Sequence, residues 1–414
     1  MWLYYLMIAL FALQNHWLWN MQLVGTVTVF KVLGVIVLIY ALCYAVRHSY
    51  SAFLWNRTTT LFMWLFLMAT VSYLFLGTSS SVAPFQSYVS MLSLVISTLL
   101  LVDSFSKLQN TLRASLVGVA FGGLYVIREF QLYHGIFPDM RPGWVVGDPN
   151  YYATGAVVCL PFGLALLDLE IRNLHRFVIL GCSVVTVIAL VLTGSRGGLL
   201  AMGAFMVFAF CSGRWHKRII PLALLLSLLM MVVPLSPIAR LLFPDRSDTE
   251  SVDFRKELLV AGIEMVKQHP LIGVGLGNFK FESKGFLERD FALVAHNTYL
   301  EVAAELGLPA LAVFFALLRE SWRTLRKIQR RSEPSLQPHL KSVCFSLEGS
   351  LVAFLVAALF ISGEYQRYLW LVVALSMVME RFPASSESGW AKRGRPALFE
   401  SVNVLSRATG VQQS

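Results

Sequence analysis

FVILGCSVVTVIALVLT, residues 177–193, holds no charged side chain, and the turn Gly194-Ser195-Arg196-Gly197-Gly198 joins it to a second apolar run that ends at Cys211. Runs of this kind recur along the chain. A helix needs roughly 17 to 25 apolar residues to cross a hydrocarbon layer about 30 Å thick. Inside that layer the backbone must satisfy its own hydrogen bonds, so each run is expected to be helical. Of the 414 residues, 57% are hydrophobic and only 14% are charged, and mean hydropathy is +0.65. A soluble domain carries about 25% charged residues, which excludes one large water-soluble core. The expected fold is all-α, a polytopic integral membrane protein.

Working outward from residues 177–193, the apolar spans are Trp2–Leu13, Met21–Val46, Thr60–Gly77, Tyr88–Val102, Leu112–Ile127, Tyr152–Leu169 and Phe177–Thr193. They continue with Gly198–Cys211, Ile219–Leu235, Thr298–Leu318, Val343–Ile361 and Tyr368–Val378. The first and last are short, which gives eleven or twelve crossings. The expected organisation is a transmembrane domain over residues 1–380, with a long loop at 237–297 inserted, and a polar tail at 381–414. That tail, with Ser385-Ser386-Glu387-Ser388 and Lys392-Arg393-Gly394-Arg395, has the composition of a disordered cytoplasmic segment. The opening Met1-Trp2-Leu3-Tyr4-Tyr5 lacks a basic n-region and a small-residue cleavage site, so it reads as a retained first helix.

The net charge of +10 invites a nucleic-acid reading, but the basic residues punctuate apolar spans and form no stripe. One set of loops takes 21 of the 34 Lys and Arg, among them Arg214, Lys217, Arg218, Arg319, Arg323 and Arg326. By the positive-inside rule this set faces the cytoplasm, together with both termini. The five cysteines, Cys43, Cys159, Cys182, Cys211 and Cys344, lie in or at the ends of apolar blocks without metal spacing and read as packing residues. No Walker loop is present, and no outer Asp-x-Asp motif that would hold a divalent ion on a diphosphate. No metal or other cofactor is expected.

Three segments then fall on the outer side. The first contains Arg141 and Gly147-Asp148-Pro149-Asn150, where Asp148 to Asn150 either contact a sugar or cap the next helix. The second is the turn at Arg196, whose guanidinium presents a planar fork suited to phosphate; the plainer reading is an arginine snorkelling to headgroups. The third is the long loop. Within it, Asp253 to Gln268 has helical periodicity with Phe254, Leu258, Gly262 and Met265 on one face, an amphipathic helix that would lie over the bundle. It carries Arg255, either a phosphate ligand or a solvated charge. His269 and Pro270 end it, and the glycine-rich run to Asn278 resembles a nucleotide loop only superficially, since no strand precedes it. His296, just ahead of the span that starts at Thr298, is a natural base near neutral pH or else a polar interface residue, and Asn297 suits a helix cap. Glu301 and Glu305 share a helical face, and Glu305 is expected to make a structural bond between helices. Lys31, inside the second span, pairs within the bundle or snorkels.

Taken together these segments resemble the bacterial O-antigen ligase and O-antigen polymerase family. The matching stretches are Gly147-Asp148-Pro149-Asn150-Tyr151-Tyr152-Ala153, Thr193-Gly194-Ser195-Arg196-Gly197-Gly198, and Arg255 with His269-Pro270-Leu271-Ile272-Gly273-Val274-Gly275 and His296-Asn297-Thr298-Tyr299-Leu300-Glu301. The resemblance implies an undecaprenyl diphosphate-linked glycan as donor and a glycan or lipid A–core as acceptor. It further implies transfer at the periplasmic face of the bacterial inner membrane without metal or nucleotide. On that resemblance Arg196 and Arg255 bind the diphosphate and His296 takes the proton from the attacking hydroxyl. Asn150, His269 and Asn297 lie in the same stretches and are further candidates for substrate binding. Other polysaccharide assembly proteins are candidate partners. A flippase for the same lipid, or a non-catalytic scaffold, would also need many helices; the first predicts charges along a path through both leaflets, the second a dispensable His296.

Overall fold

The computed structural model describes residues 1–13, 21–24, 27–47, 56–133, 136–137, 140–144, 146–213, 216–232, 246–287, 294–331 and 337–382. The chain begins with α1 (Trp2–Ala9), extended by a 3-10 turn to Leu13. A hairpin follows, β1 (Gln22–Val24) antiparallel to β2 (Val27–Thr28), with Gln22 opposite Thr28 and Val24 opposite Val27. This replaces the start of the expected span Met21–Val46: Val24, Val27 and Thr28 are β-branched, which disfavours helix and suits a pleated ladder. Membrane-type helices come next: α2 (Val29–Arg47), α3 (Arg57–Leu76), α4 (Val82–Leu101), α5 (Phe105–Tyr133), α6 (Pro149–Leu169), α7 (Asn173–Leu192), α8 (Arg196–Cys211) and α9 (His216–Val232). Then follow α10 (Arg246–Gln268), the short α11 (Phe279–Glu282), α12 (Thr298–Arg331), α13 (Gln337–Ala357) and α14 (Arg367–Met379).

Among the described residues, eight helices are long and apolar enough to cross a bilayer: α2 to α7, α12 and α13. The other four expected spans are present as shorter apolar helices. This is an all-α, multi-pass membrane protein. The tail from residue 383, and residues 233–245 and 288–293 of the long loop, lie outside the described residues.

Three departures from the expected spans shape the site. Helix α12 does not stop at Leu318 but runs on to Arg331, because the Arg- and Lys-rich residues beyond Leu318 are good helix formers that suit water outside the membrane. It is also broken once, at Gly307 (φ 86°, ψ 168°). Helix α13 ends at Ala357, short of the expected Ile361, and residues 358–366 cross the end of the bundle without helical structure. Thr298 satisfies much of that segment: its amide donates to Ala358 O at 2.8 Å, its hydroxyl donates to Ile361 O at 2.7 Å, and Gly363 N–H donates to the hydroxyl at 2.8 Å.

Helix α14 is the centre of the molecule. Every residue from Tyr368 to Met379 is buried, and the helix packs on α4, α12 and α13. Its 13 residues rise only about 20 Å, less than a bilayer core, so the segment ahead of it enters the bundle. Irregular backbone at such depth is tolerated where protein encloses it. Around this axis α6 packs on α5, α7 and α13, and α3 on α12.

Candidate functional site

The site is assembled at the end of the bundle where segment 358–366 crosses. Asp148 begins α6 as its cap, its carboxylate accepting from Asn150 N–H at 2.8 Å and Tyr151 N–H at 2.9 Å. The economical reading of Asp148 as a cap therefore holds. The amide oxygen of Asn150 accepts from Ser195 Oγ at 2.9 Å and from Arg141 at 2.8 Å, while Arg141 also donates to Thr193 O at 2.9 Å. Ser195 in turn caps α8, accepting from Gly198 N–H. Arg196, the first residue of α8, is thus held by a knot of three polar side chains that joins two stretches far apart in sequence. The positive-φ Gly194 (φ 60°) provides the sharp turn that a side chain would resist.

His296 is the one non-glycine described residue with positive φ (49°). Its amide donates to Ser362 Oγ at 3.2 Å. Its imidazole is largely enclosed and lies within electrostatic reach of Arg255 and Asp148. Burial lowers its pKa, the Arg255 guanidinium lowers it further, and the Asp148 carboxylate works against both. The ring is accordingly neutral near pH 7 and able to accept a proton. Asn297 accepts from Leu300 N–H at 3.1 Å, so its side chain caps α12.

Arg255 comes from α10, whose Leu258, Ala261 and Met265 are buried in a small apolar cluster with Phe279, Leu287, Ala295 and Ala304. The expected amphipathic helix is present and begins earlier than Asp253, at Arg246. The cluster includes Ala295, the neighbour of His296, and so fixes Arg255 relative to the imidazole. A cleft of about 750 Å³ opens on the same helix, lined by Lys256, Glu257, Val260, Ala261, Glu264 and Phe286. His269 lies beyond the far end of α10, about 21 Å along the axis from Arg255, and is exposed. Its carbonyl accepts from Gly273 N–H at 3.0 Å and helps to form the turn.

The glycine-rich run after His269 packs backbone to backbone on the break in α12. Val274 N–H donates to Ala304 O at 2.8 Å, Gly275 N–H to Glu305 O at 3.1 Å, and Leu308 N–H to Pro270 O at 2.8 Å. A Cβ on Gly273 (φ 67°) would sit 2.3 Å from the Glu305 carbonyl carbon, and one on Gly307 2.3 Å from Leu271 O. Only glycine permits this approach. The Glu305 carboxylate accepts from Gly277 N–H at 2.7 Å and Phe279 N–H at 3.1 Å. Its role is structural, as expected: the bond to Phe279 ties α12 to the start of α11, and the bond to Gly277 grips the loop ahead of it. Lys31 donates to Gln86 between α2 and α4.

Sequence reasoning missed the segment that holds these parts together. Phe360 lies against Gly197, Ser362 binds His296, Tyr365 O accepts from Tyr151 at 2.9 Å, and Gln366 donates to Tyr151 O at 3.0 Å. Glu364 is 2% exposed with neither carboxyl oxygen hydrogen-bonded, and Glu301 and Glu305 are buried nearby. Burial raises the Glu364 pKa, and the Glu305 carboxyl raises it further. The available signal was the polar run Ser362-Gly363-Glu364-Tyr365-Gln366-Arg367 between two apolar spans.

Residues 181–315 match a protein-family model described as O-antigen ligase. Over this segment the chain is similar to the O-antigen ligase family. The matched segment runs from α7 into α12 and contains Arg196, Arg255, His269, His296 and Asn297, while Asp148 and Asn150 precede it. A comparison with curated proteins gives no match.

Proposed function

We propose that this protein transfers a glycan from undecaprenyl diphosphate to an acceptor hydroxyl at the periplasmic face of the inner membrane, as a ligase or polymerase of surface polysaccharide. The observation that carries this reading is His296: an enclosed, neutral imidazole held in a left-handed backbone beside Arg255 and Asp148. The acceptor O–H gives its proton to His296, its oxygen forms a bond to the anomeric carbon, and the bond from that carbon to the diphosphate oxygen breaks. The leaving diphosphate takes the electron pair, and configuration inverts. Arg196 and Arg255 bind that diphosphate, and fixed cations aimed at developing charge contribute several kcal/mol. The cleft beside Arg255 offers room for sugars beyond the reacting one. The greater density of Lys and Arg at the opposite end supports the placement of this site outside the cytoplasm.

The test is reconstitution of the protein with undecaprenyl diphosphate-linked glycan and candidate acceptors, with EDTA and without nucleotide. Product is followed by mass spectrometry. His296→Ala should lower transfer by about 10²–10⁴-fold with donor binding retained. Equal transfer by the variant removes His296 from the chemistry. Loss of wild-type transfer in EDTA would show that arginines alone do not serve the diphosphate.

A further inference from the structure

At the other end of α12 lies a cleft of about 480 Å³ lined by Trp322, Arg323, Arg326, Lys327 and Arg330. From Thr298 to Trp322 the helix rises about 36 Å, slightly more than the roughly 30 Å hydrocarbon core. Trp322 therefore sits where indole rings favour the membrane–water boundary, and the four cations follow at headgroup depth. Two are partly neutralised: Arg326 meets Glu348 at 3.0 Å and stacks over Trp322 at 5.1 Å, and Arg323 is 3.7 Å from Glu320. Lys327 and Arg330 form no ion pair with a described residue. Trp322 is held by Phe208 of α8, at 5.7 Å between ring centroids, and Phe208 stacks on Phe345 of α13. The cleft floor is thus rigid and aromatic, its rim is cationic, and acyl chains could continue down the apolar flank of α12.

We propose that this cleft binds the headgroup phosphate of an anionic phospholipid in the leaflet opposite the candidate catalytic site. Arg323 and Arg330 present forks to the phosphate oxygens, Lys327 adds a point charge, and Trp322 holds the glycerol level at the interface. Nothing in this inference depends on the transferase reading. The full-length protein, purified in neutral detergent, is titrated with phosphatidylglycerol or cardiolipin against phosphatidylethanolamine, and retained lipid is counted by native mass spectrometry. The wild type should keep the anionic lipids selectively. Each of Lys327→Gln and Arg330→Gln should weaken retention about fivefold, the usual contribution of one cation near a charged membrane surface. Lys267→Gln with Lys284→Gln, exposed charges far from the cleft, should leave it unchanged. Equal retention in cleft and control variants overturns the site. Full competition by inorganic phosphate at equal concentration, or by an acidic peptide, overturns its assignment to a lipid. If one of the two cleft variants does not fold, the other gives the same reading.

Discussion

The two ends of α12 solve opposite electrostatic problems. Near Thr298 it buries Glu301 and Glu305 beside Glu364, and the backbone amides of Gly277 and Phe279 answer the Glu305 carboxylate. Near Arg331 it presents a run of cations to water, and the buried Glu348 beside it is answered by Arg326 at 3.0 Å and Gln329 at 2.7 Å. A carboxylate taken out of water needs hydrogen bonds or a counter-charge. The first end supplies hydrogen bonds and so orders a loop; the second supplies charge and so stays adaptable. The difference teaches that the acidic end of the helix is architecture for the site, and the basic end is a contact surface.

Glu305→Ala should break this contrast most strongly. It deletes the acceptor of two buried amides, Gly277 and Phe279, each bond to a charged group contributing about 1.5–3 kcal/mol. The expected loss is about 3–5 kcal/mol, read as a lower unfolding temperature in detergent together with faster proteolysis between Gln268 and Phe279. A loss no greater than that of Arg326→Ala would mean the loop does not depend on the carboxylate. Arg326→Ala itself should cost roughly 1–2 kcal/mol, because its half-exposed guanidinium is screened while Glu348 is left buried with Gln329 alone. Pairing it with Glu348→Gln should restore most of that loss. An additive double variant would show that the two side chains do not couple.

The membrane architecture was legible because apolar run length is a direct physical requirement. Twelve runs were expected and twelve apolar helices or helical turns are found, and the stripe Phe254, Leu258, Gly262, Met265 identified α10 as amphipathic. Arg196 and His296 stood out as polar residues at helix boundaries, and Arg255 as a cation on the amphipathic helix. What stayed hidden was long-range pairing. Nothing in the neighbourhood of Asn150 announces that its amide oxygen will hold Ser195 and Arg141. Hydropathy also carried the thirteenth-helix reading too far, to Ile361, because Ala358, Leu359 and Phe360 are apolar although Thr298 takes their backbone out of the helix. His269 and Asn297 also serve the local fold, through the His269 carbonyl and the Asn297 cap.

Glu364→Gln tests whether the acidic end keeps an uncharged carboxyl. A raised folded-state pKa means that the folded protein binds a proton the unfolded chain has released once pH exceeds about 4.3. Stability from this group is present below that pH and is lost as pH rises towards the folded value. Glutamine cannot ionise, so the variant should gain on the wild type progressively between about pH 5 and pH 8. Thermal unfolding at the two pH values checks it. Parallel curves would mean that Glu364 is ionised and compensated.

The smallest effect concerns Arg255, which comes from α10 and acts on His296 at the start of α12. It lowers the His296 pKa, second only to burial, and Asp148 opposes it. Removing its charge in Arg255→Gln should let the imidazole bind a proton more readily, so the acid limb of the transfer rate moves to higher pH. Burial remains, and the shift should stay under about one pH unit, the size of a single nearby charge screened by partial exposure. If Arg255 binds the diphosphate as proposed, the rate at the plateau should fall as well, and amplitude and limb position are separate readings of one pH profile. A lower plateau with an unmoved limb would leave Arg255 as a phosphate ligand with no hold on the base. A moved limb with an unchanged plateau would make it a tuner of His296 alone, and the acidic end of α12 would then govern proton transfer without touching the diphosphate.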